Sequence, residues 1–152
     1  MTVPSAVTLD ALEEELPVAR DYVAAAGLTL DDSDLSSENL RFYVTFRNAD
    51  GELFHAEFDC RNYPLHPPTI EFLDAVRQRR GLPSLYPAGF HGLPCVCMRY
   101  NKKAYADIGG PHGDWRLVDW QLATPGGGPI DSIAMMVSDL HAKIAMSRGR
   151  MG

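Results

Sequence analysis

The sequence predicts an α+β domain, with helices laid on one face of an antiparallel sheet. Two changes of period predict it. Apolar residues recur at helical intervals near the start (Leu9, Leu12, Leu16, Ala19, Val23) and again near the end (Ile130, Ile133, Val137, Leu140, Ile144). Between these stretches the period drops to two, the mark of strands with one face covered.

The first helix is expected to begin at Asp10, whose spacing to Glu13 is that of a capping box. Pro17 should kink or restart it, and Gly27 suits its end. The polar stretch from Thr29 to Asn39 leaves room for one short strand and a loop. In "LRFYVTFR", Phe42, Val44 and Phe46 face the core while Arg41, Tyr43 and Thr45 face away. "NADG", Asn48 to Gly51, is a hairpin turn. "LFHAEFDC" then resumes the alternation with Phe54, Ala56 and Phe58 inward. Three or four strands are expected in all. Pro129 suits the first position of the last helix, and Met135 and Met136 should fill gaps in its packing. The irregular middle, from about Leu73 to Gly128, is long enough to call for a functional explanation.

At 152 residues, with 45% hydrophobic and 22% charged side chains, the chain has the size and composition of a single globular domain spanning 1–152. No apolar run approaches the ~18 residues that a membrane span needs. The start lacks a signal-peptide pattern, so a cytoplasmic location with reduced thiols is expected, and three cysteines make an odd number for a disulfide framework. The net charge of −6 argues against nucleic acid as a partner, and Arg77, Arg79 and Arg80 in "VRQRRG" read as a solvated loop.

After the third strand comes "NYPLHPPTIEF". Tyr63, Pro64, Pro67, Pro68 and Phe72 stand at the spacing Y-P-x-x-P-P-x-x-x-F. Physically, consecutive prolines hold the chain extended as it leaves the meander, and the aromatics anchor it at each end. This signature resembles that of ubiquitin-conjugating enzymes. In that family an aromatic, a histidine-proline-asparagine turn and an I-C-L triplet carrying the catalytic cysteine come next. Aligned from Tyr86, "YPAGFHGLPCVCM" puts Val96, Cys97 and Met98 on the triplet. Trp115 or Trp120 matches a downstream tryptophan, and "TPGGGPIDSI" resembles the start of the family's next helix.

The resemblance implies a UBC-like fold: N-terminal helix, antiparallel meander, active-site loop and C-terminal helix. Pro87, Ala88 and Gly89 replace the histidine-proline-asparagine turn, whose asparagine supports acyl transfer in the family. His91 and Asn101 are the candidates to take over that support. The chain has one C-terminal helix where eukaryotic members usually have more, and a longer segment between Phe72 and Tyr86. In this it looks most like the bacterial conjugating enzymes of ubiquitin-like phage-defence operons. The implied function is a conjugating acyltransferase. It takes a ubiquitin-like modifier from an activating enzyme as a cysteine thioester and passes it to an amine of a protein target. No cofactor is implied. The alternative is an inactive binding module of the UBC or RWD type.

Cys97 is the expected nucleophile, since Val96 and Met98 flank it as the family's cysteine is flanked. Cys95 remains the alternative, because Gly92-Leu93-Pro94-Cys95 copies a G-x-I-C spacing. If the segment is extended, Val96 and Met98 point inward and both thiols face the open side. A zinc site from Cys95, Cys97 and His91 or His112 is disfavoured because C-x-C is not the usual chelate spacing. Cys60 reads as packing at a strand end, His55 and His141 as solvated, and Lys102 with Lys103 as a solvated pair. Trp115 and Trp120 suit the core or the groove wall, and Asp114 and Asp119 could orient an incoming amine. Glu13 to Glu15 make the first helix acidic, where the family commonly meets its activating enzyme with a basic one.

Overall fold

The structure is a computed structural model that describes residues 2–90, 94–120 and 132–152. Helix α1, Ser5–Ala25, starts ahead of the expected capping box, directly after Pro4. Its buried stripe begins at Thr8 and continues through Leu12, Leu16, Ala19 and Val23, which extends the helical period one turn further back. Pro17 lies inside the helix rather than restarting it. Glu13, which loses its hydrogen-bond donor to that proline, is exposed, so water can take up the free carbonyl. The end is a Schellman turn. Gly27 has φ +73°, Leu28 N donates to Val23 O at 2.8 Å, and Gly27 N donates to Ala24 O at 3.2 Å.

Among the described residues the sheet has four antiparallel strands in the order β1-β2-β3-β4: β1 Thr29–Asp31, β2 Arg41–Arg47, β3 Leu53–Asp59 and β4 Thr69–Leu73. The register pairs Phe42 with Phe58, Val44 with Ala56 and Phe46 with Phe54, then Ala56 with Phe72 and Phe58 with Ile70. One face is therefore continuous hydrocarbon, and the Phe42 and Phe58 rings stack at 4.8 Å. Asn48 closes the β2–β3 hairpin, its Oδ1 accepting from Asp50 N and Glu52 N.

Helix α2, Ile133–Met146, buries Ile133, Met136, Val137, Leu140 and Ile144 against this face and α1. Ser132 caps it by accepting from Met135 N. Pro129 and Ile130 lie outside the described residues, as does "PGGGP". Met136 fills the core as expected, whereas Met135 is exposed. His141 is not simply solvated: its Nδ1 meets the Tyr22 hydroxyl at 2.6 Å, joining α2 to α1.

The opposite face of the sheet is polar but not bare. Arg80 bridges Glu57 and Glu71 at 2.9 and 3.0 Å, and Arg77 lies over the Tyr43 ring at 3.4 Å while pairing with Asp31. Arg77, Arg79 and Arg80 are exposed, as expected of a solvated loop, and carboxylates on the outward positions of β3 and β4 hold Arg80 over the sheet. His55 on this face meets the Thr45 hydroxyl at 3.0 Å, and burial pushes its pKa down.

The signature residue Tyr63 ties three elements together. It is fully buried, its carbonyl accepts from the Thr8 hydroxyl, and its own hydroxyl donates to both oxygens of Glu15. Glu15 also accepts from Ile133 N at the first turn of α2, where a carboxylate suits the helix dipole. Glu13 and Glu14 are exposed, so the acidic run divides into two surface groups and one structural brace.

Candidate functional site

The described part of the middle segment is built from short 3₁₀ turns, at Pro83–Leu85, Lys102–Ala104, Ala106–Ile108 and Leu117–Asp119. The cysteine pair lies between the first two of these, and its placement starts from the edge of the sheet. β4 is an edge strand, so the outward N–H and C=O of Ile70 have no strand to pair with. The side chain of Asn101 takes that place. Its Oδ1 accepts from Ile70 N at 2.8 Å, and its Nδ2 approaches Ile70 O at 3.4 Å. Alongside, Lys102 N donates to Pro68 O at 2.8 Å, which docks the chain on the double-proline segment.

The same Nδ2 donates to Val96 O at 2.8 Å, and Oδ1 also accepts from Lys103 N at 3.1 Å. Val96 O accepts a second bond, from Met98 N at 2.9 Å, which closes a three-residue turn centred on Cys97. Asn101 N then donates to Met98 O at 2.9 Å. The segment is therefore folded back at Cys97 instead of extended, and the alternation expected for a strand does not hold. Val96 is buried and Met98 is partly buried, as expected. Cys95, however, is only 4% exposed, and Cys97 is the half-exposed thiol of the three. The expectation that both thiols face the open side is corrected: one does.

Electrostatics separates the two further. Burial first, and then the adjacent Cys97 thiol, push the Cys95 thiol up to about 12. Cys60, fully buried beside Asp59 and Glu15, is likewise held well above the ordinary thiol range, chiefly by burial. Around the pair, Tyr86 is fully buried against Phe72 with its hydroxyl pushed up by burial. Tyr100 donates to Asp139 of α2 at 2.7 Å, and burial and that carboxylate raise it strongly. Tyr105 donates to Arg99 O at 2.6 Å, and burial pushes it up to about 12. The Tyr100 bond ties the 99–105 stretch to α2, and the Tyr105 bond closes the stretch on itself.

Among the other expected site residues, Asn101 is fully buried with its amide wholly engaged. His91 and Gly92 lie outside the described residues. Lys103 is not a solvated lysine, since its ammonium pairs with Glu71. Glu71 is raised by its burial, but Lys103 and Arg80 outweigh that and leave it lowered. Lys102 is half-buried, and burial lowers its pKa. Trp115 forms a small stack, with His112 at 3.7 Å on one side, Arg99 at 4.6 Å and Tyr105 at 5.7 Å. Trp120 packs on the core, and Asp114 and Asp119 are exposed. Among the described residues, no group of three or more His, Cys, Asp or Glu is placed to hold a metal ion, and no helix is long and apolar enough to cross a membrane.

Sequence reasoning missed a cavity of about 380 Å³ bordered by Met98, immediately after Cys97. Ala88, Gly89 and Phe90 form one wall, and Lys143, Met146 and Ser147 at the end of α2 form the other. Three segments distant in sequence build it, so no local pattern announces it. Its lining is mainly apolar with one ammonium at the rim, and Asp139 pairs with that ammonium at 2.7 Å. Compared with family models, curated proteins and solved structures, the chain finds no match.

Proposed function

We propose that the protein is a conjugating enzyme for a ubiquitin-like modifier, acting through Cys97, in a bacterial antiphage pathway. One observation carries the choice of residue: of three thiols, Cys97 alone is half-exposed, on a braced turn beside an apolar groove. Support for the family reading comes from the Y-P-x-x-P-P-x-x-x-F spacing and the order helix, four-stranded meander, cysteine turn, helix.

In this reading the Cys97 thiolate attacks the carbonyl carbon of the thioester presented by the activating enzyme. The new C–S bond forms, the old one breaks, and the activating enzyme's thiolate leaves. A target amine then attacks the same carbon, Cys97 thiolate departs, and the nitrogen gives up a proton as the amide forms. The groove along Met98 and Phe90 receives the extended tail of the modifier. Asn101 contributes by holding the turn, because its carboxamide is already spent on Ile70 and Val96. Any oxyanion donor must come from another group.

The binding-module alternative is favoured by the missing histidine-proline-asparagine turn and by that engaged asparagine. One assay separates the two. With activating enzyme, modifier and ATP supplied, an adduct that reducing agent removes is expected on the wild-type chain. It should vanish in Cys97→Ala, persist in Cys95→Ala, and resist reducing agent in Cys97→Ser as an oxyester. No adduct on a folded wild-type chain supports the module; an adduct lost only in Cys95→Ala moves the nucleophile to Cys95.

A further inference from the structure

The conjugation reading uses Cys97 and leaves Cys95 without a task. A second, buried thiol two residues away is an unusual thing to build beside a reactive cysteine. Packing alone would be met by alanine or valine. Soft-metal chelation needs further ligands, and among the described residues no third His, Cys, Asp or Glu joins the pair. What the two sulfurs already have is each other.

We propose that Cys95 and Cys97 are a dithiol–disulfide couple, with Cys97 the thiol that meets hydroperoxides and Cys95 the thiol that resolves the product. The geometry supports each part. Two residues of chain put the α-carbons at most about 7 Å apart, at the outer edge of the span a disulfide bridges. Cys97 lies close enough to Cys95 to help push that thiol's pKa up. Cys97 is half-exposed and open to a small oxidant, whereas Cys95 sits behind it at 4% exposure.

The chemistry balances. Cys97 thiolate attacks one peroxide oxygen, an S–O bond forms, the O–O bond breaks, and the departing hydroxide takes up the proton that the Cys97 thiol released on ionising, leaving as water. The Cys97 sulfur is oxidised by two electrons to the sulfenic acid and the peroxide is reduced. Cys95 sulfur then attacks the Cys97 sulfur; the S–S bond forms, the S–O bond breaks, and the departing hydroxide takes the Cys95 proton as water. The net change is loss of two hydrogen atoms from the protein and reduction of one peroxide to two waters. A dithiol reverses it. The couple would hold the exposed thiol in a recoverable state instead of letting it pass to the irreversible sulfinic acid.

This inference stands whether or not Cys97 forms a thioester, and its test needs neither modifier nor activating enzyme. The full chain is treated with hydrogen peroxide, its remaining thiols are alkylated, and intact mass and peptide maps are read. The expected result is loss of two of the three alkylatable thiols, a 95–97 link, and full recovery with dithiothreitol. In Cys95→Ala, a sulfenic-acid probe should label Cys97 stoichiometrically, where the wild type shows only trace labelling. Wild-type chain that proceeds to Cys97 sulfinic acid with Cys95 still alkylatable overturns the proposal, as does a link only between chains. The wild-type result alone decides the matter if Cys95→Ala does not fold.

Discussion

Replacing Asn101 by alanine tests the brace that underlies the whole site. The carboxamide is 0% exposed and serves Ile70 N, Ile70 O, Val96 O and Lys103 N. Alanine orphans the Ile70 N–H in a dry place, which costs about 1 to 3 kcal/mol, and removes the bonds to Val96 and Lys103 at about 1 kcal/mol or less each. Val96 O keeps its bond from Met98 N, so it adds little more. The expected loss is about 3 kcal/mol, equivalent to a fall in Tm of roughly 6 to 12 °C for a domain of this size. Urea unfolding followed by circular dichroism reads the free energy. A thiol reagent in native buffer reads the site: the wild type should show one fast thiol, Cys97, and the variant two, because the turn that buries Cys95 has lost its support.

Asn101→Asp sharpens the test. Aspartate still accepts from Ile70 N and Lys103 N, but it sets a charged oxygen against the Val96 carbonyl inside the protein. Burial raises a carboxylic acid's pKa, so the folded variant binds a proton more tightly than the unfolded chain. Its stability should therefore improve as pH falls, when the protonated acid can donate to Val96 O. Stability within about 0.5 kcal/mol of wild type in Asn101→Ala, with one fast thiol unchanged, would refute the brace.

Two further outcomes follow from the fold. Glu15→Ala removes the acceptor for Tyr63 and for the α2 amide of Ile133, and should cost about 2 kcal/mol by urea unfolding, whereas Glu13→Ala with Glu14→Ala should stay within about 0.5 kcal/mol; equal effects would return Glu15 to the surface. Asp31, held down to about 2 by the Ser33 hydroxyl first and then by Ser33 N and Arg77, has a folded pKa below its ordinary 3.8. Its contribution is thus present above about pH 4 and lost as pH falls through about 2; with the side chain 45% exposed it is worth less than about 1 kcal/mol. Asp31→Asn should flatten that part of the acid unfolding profile, and an unchanged profile removes the Asp31 contacts from the account.

The architecture was legible because burial has a period. Leu12, Leu16, Ala19 and Val23 in α1, and Phe42, Val44, Phe46, Phe54, Ala56 and Phe58 in β2 and β3, are buried as the sequence spacing requires. The misplacements come from local rules overruled at a distance. The Asp10–Glu13 spacing imitates a helix start, but Thr8 bonded to Tyr63 carries the helix back to Ser5. Arg77 and Arg80 are exposed as the sequence suggests, but nothing in the string shows that Asp31, Glu57 and Glu71 lie on the sheet to pair with them. His141 reads as polar surface because its partner, Tyr22, lies more than a hundred residues away.

The cysteine pair shows the same limit more sharply, and with a consequence. Alternation put Cys95 and Cys97 on one face because alternation assumes an extended chain. The bend at Cys97 is imposed by a side chain four residues on, and that side chain is itself held by the unpaired edge of β4. One carboxamide therefore does three things: it completes the sheet edge, folds the cysteine segment, and sorts two adjacent thiols into an exposed one and a sheltered one. Nothing in C-x-C as a string distinguishes these two roles. The edge of the sheet does, and chemistry at Cys97 rests on the backbone of Ile70 through Asn101.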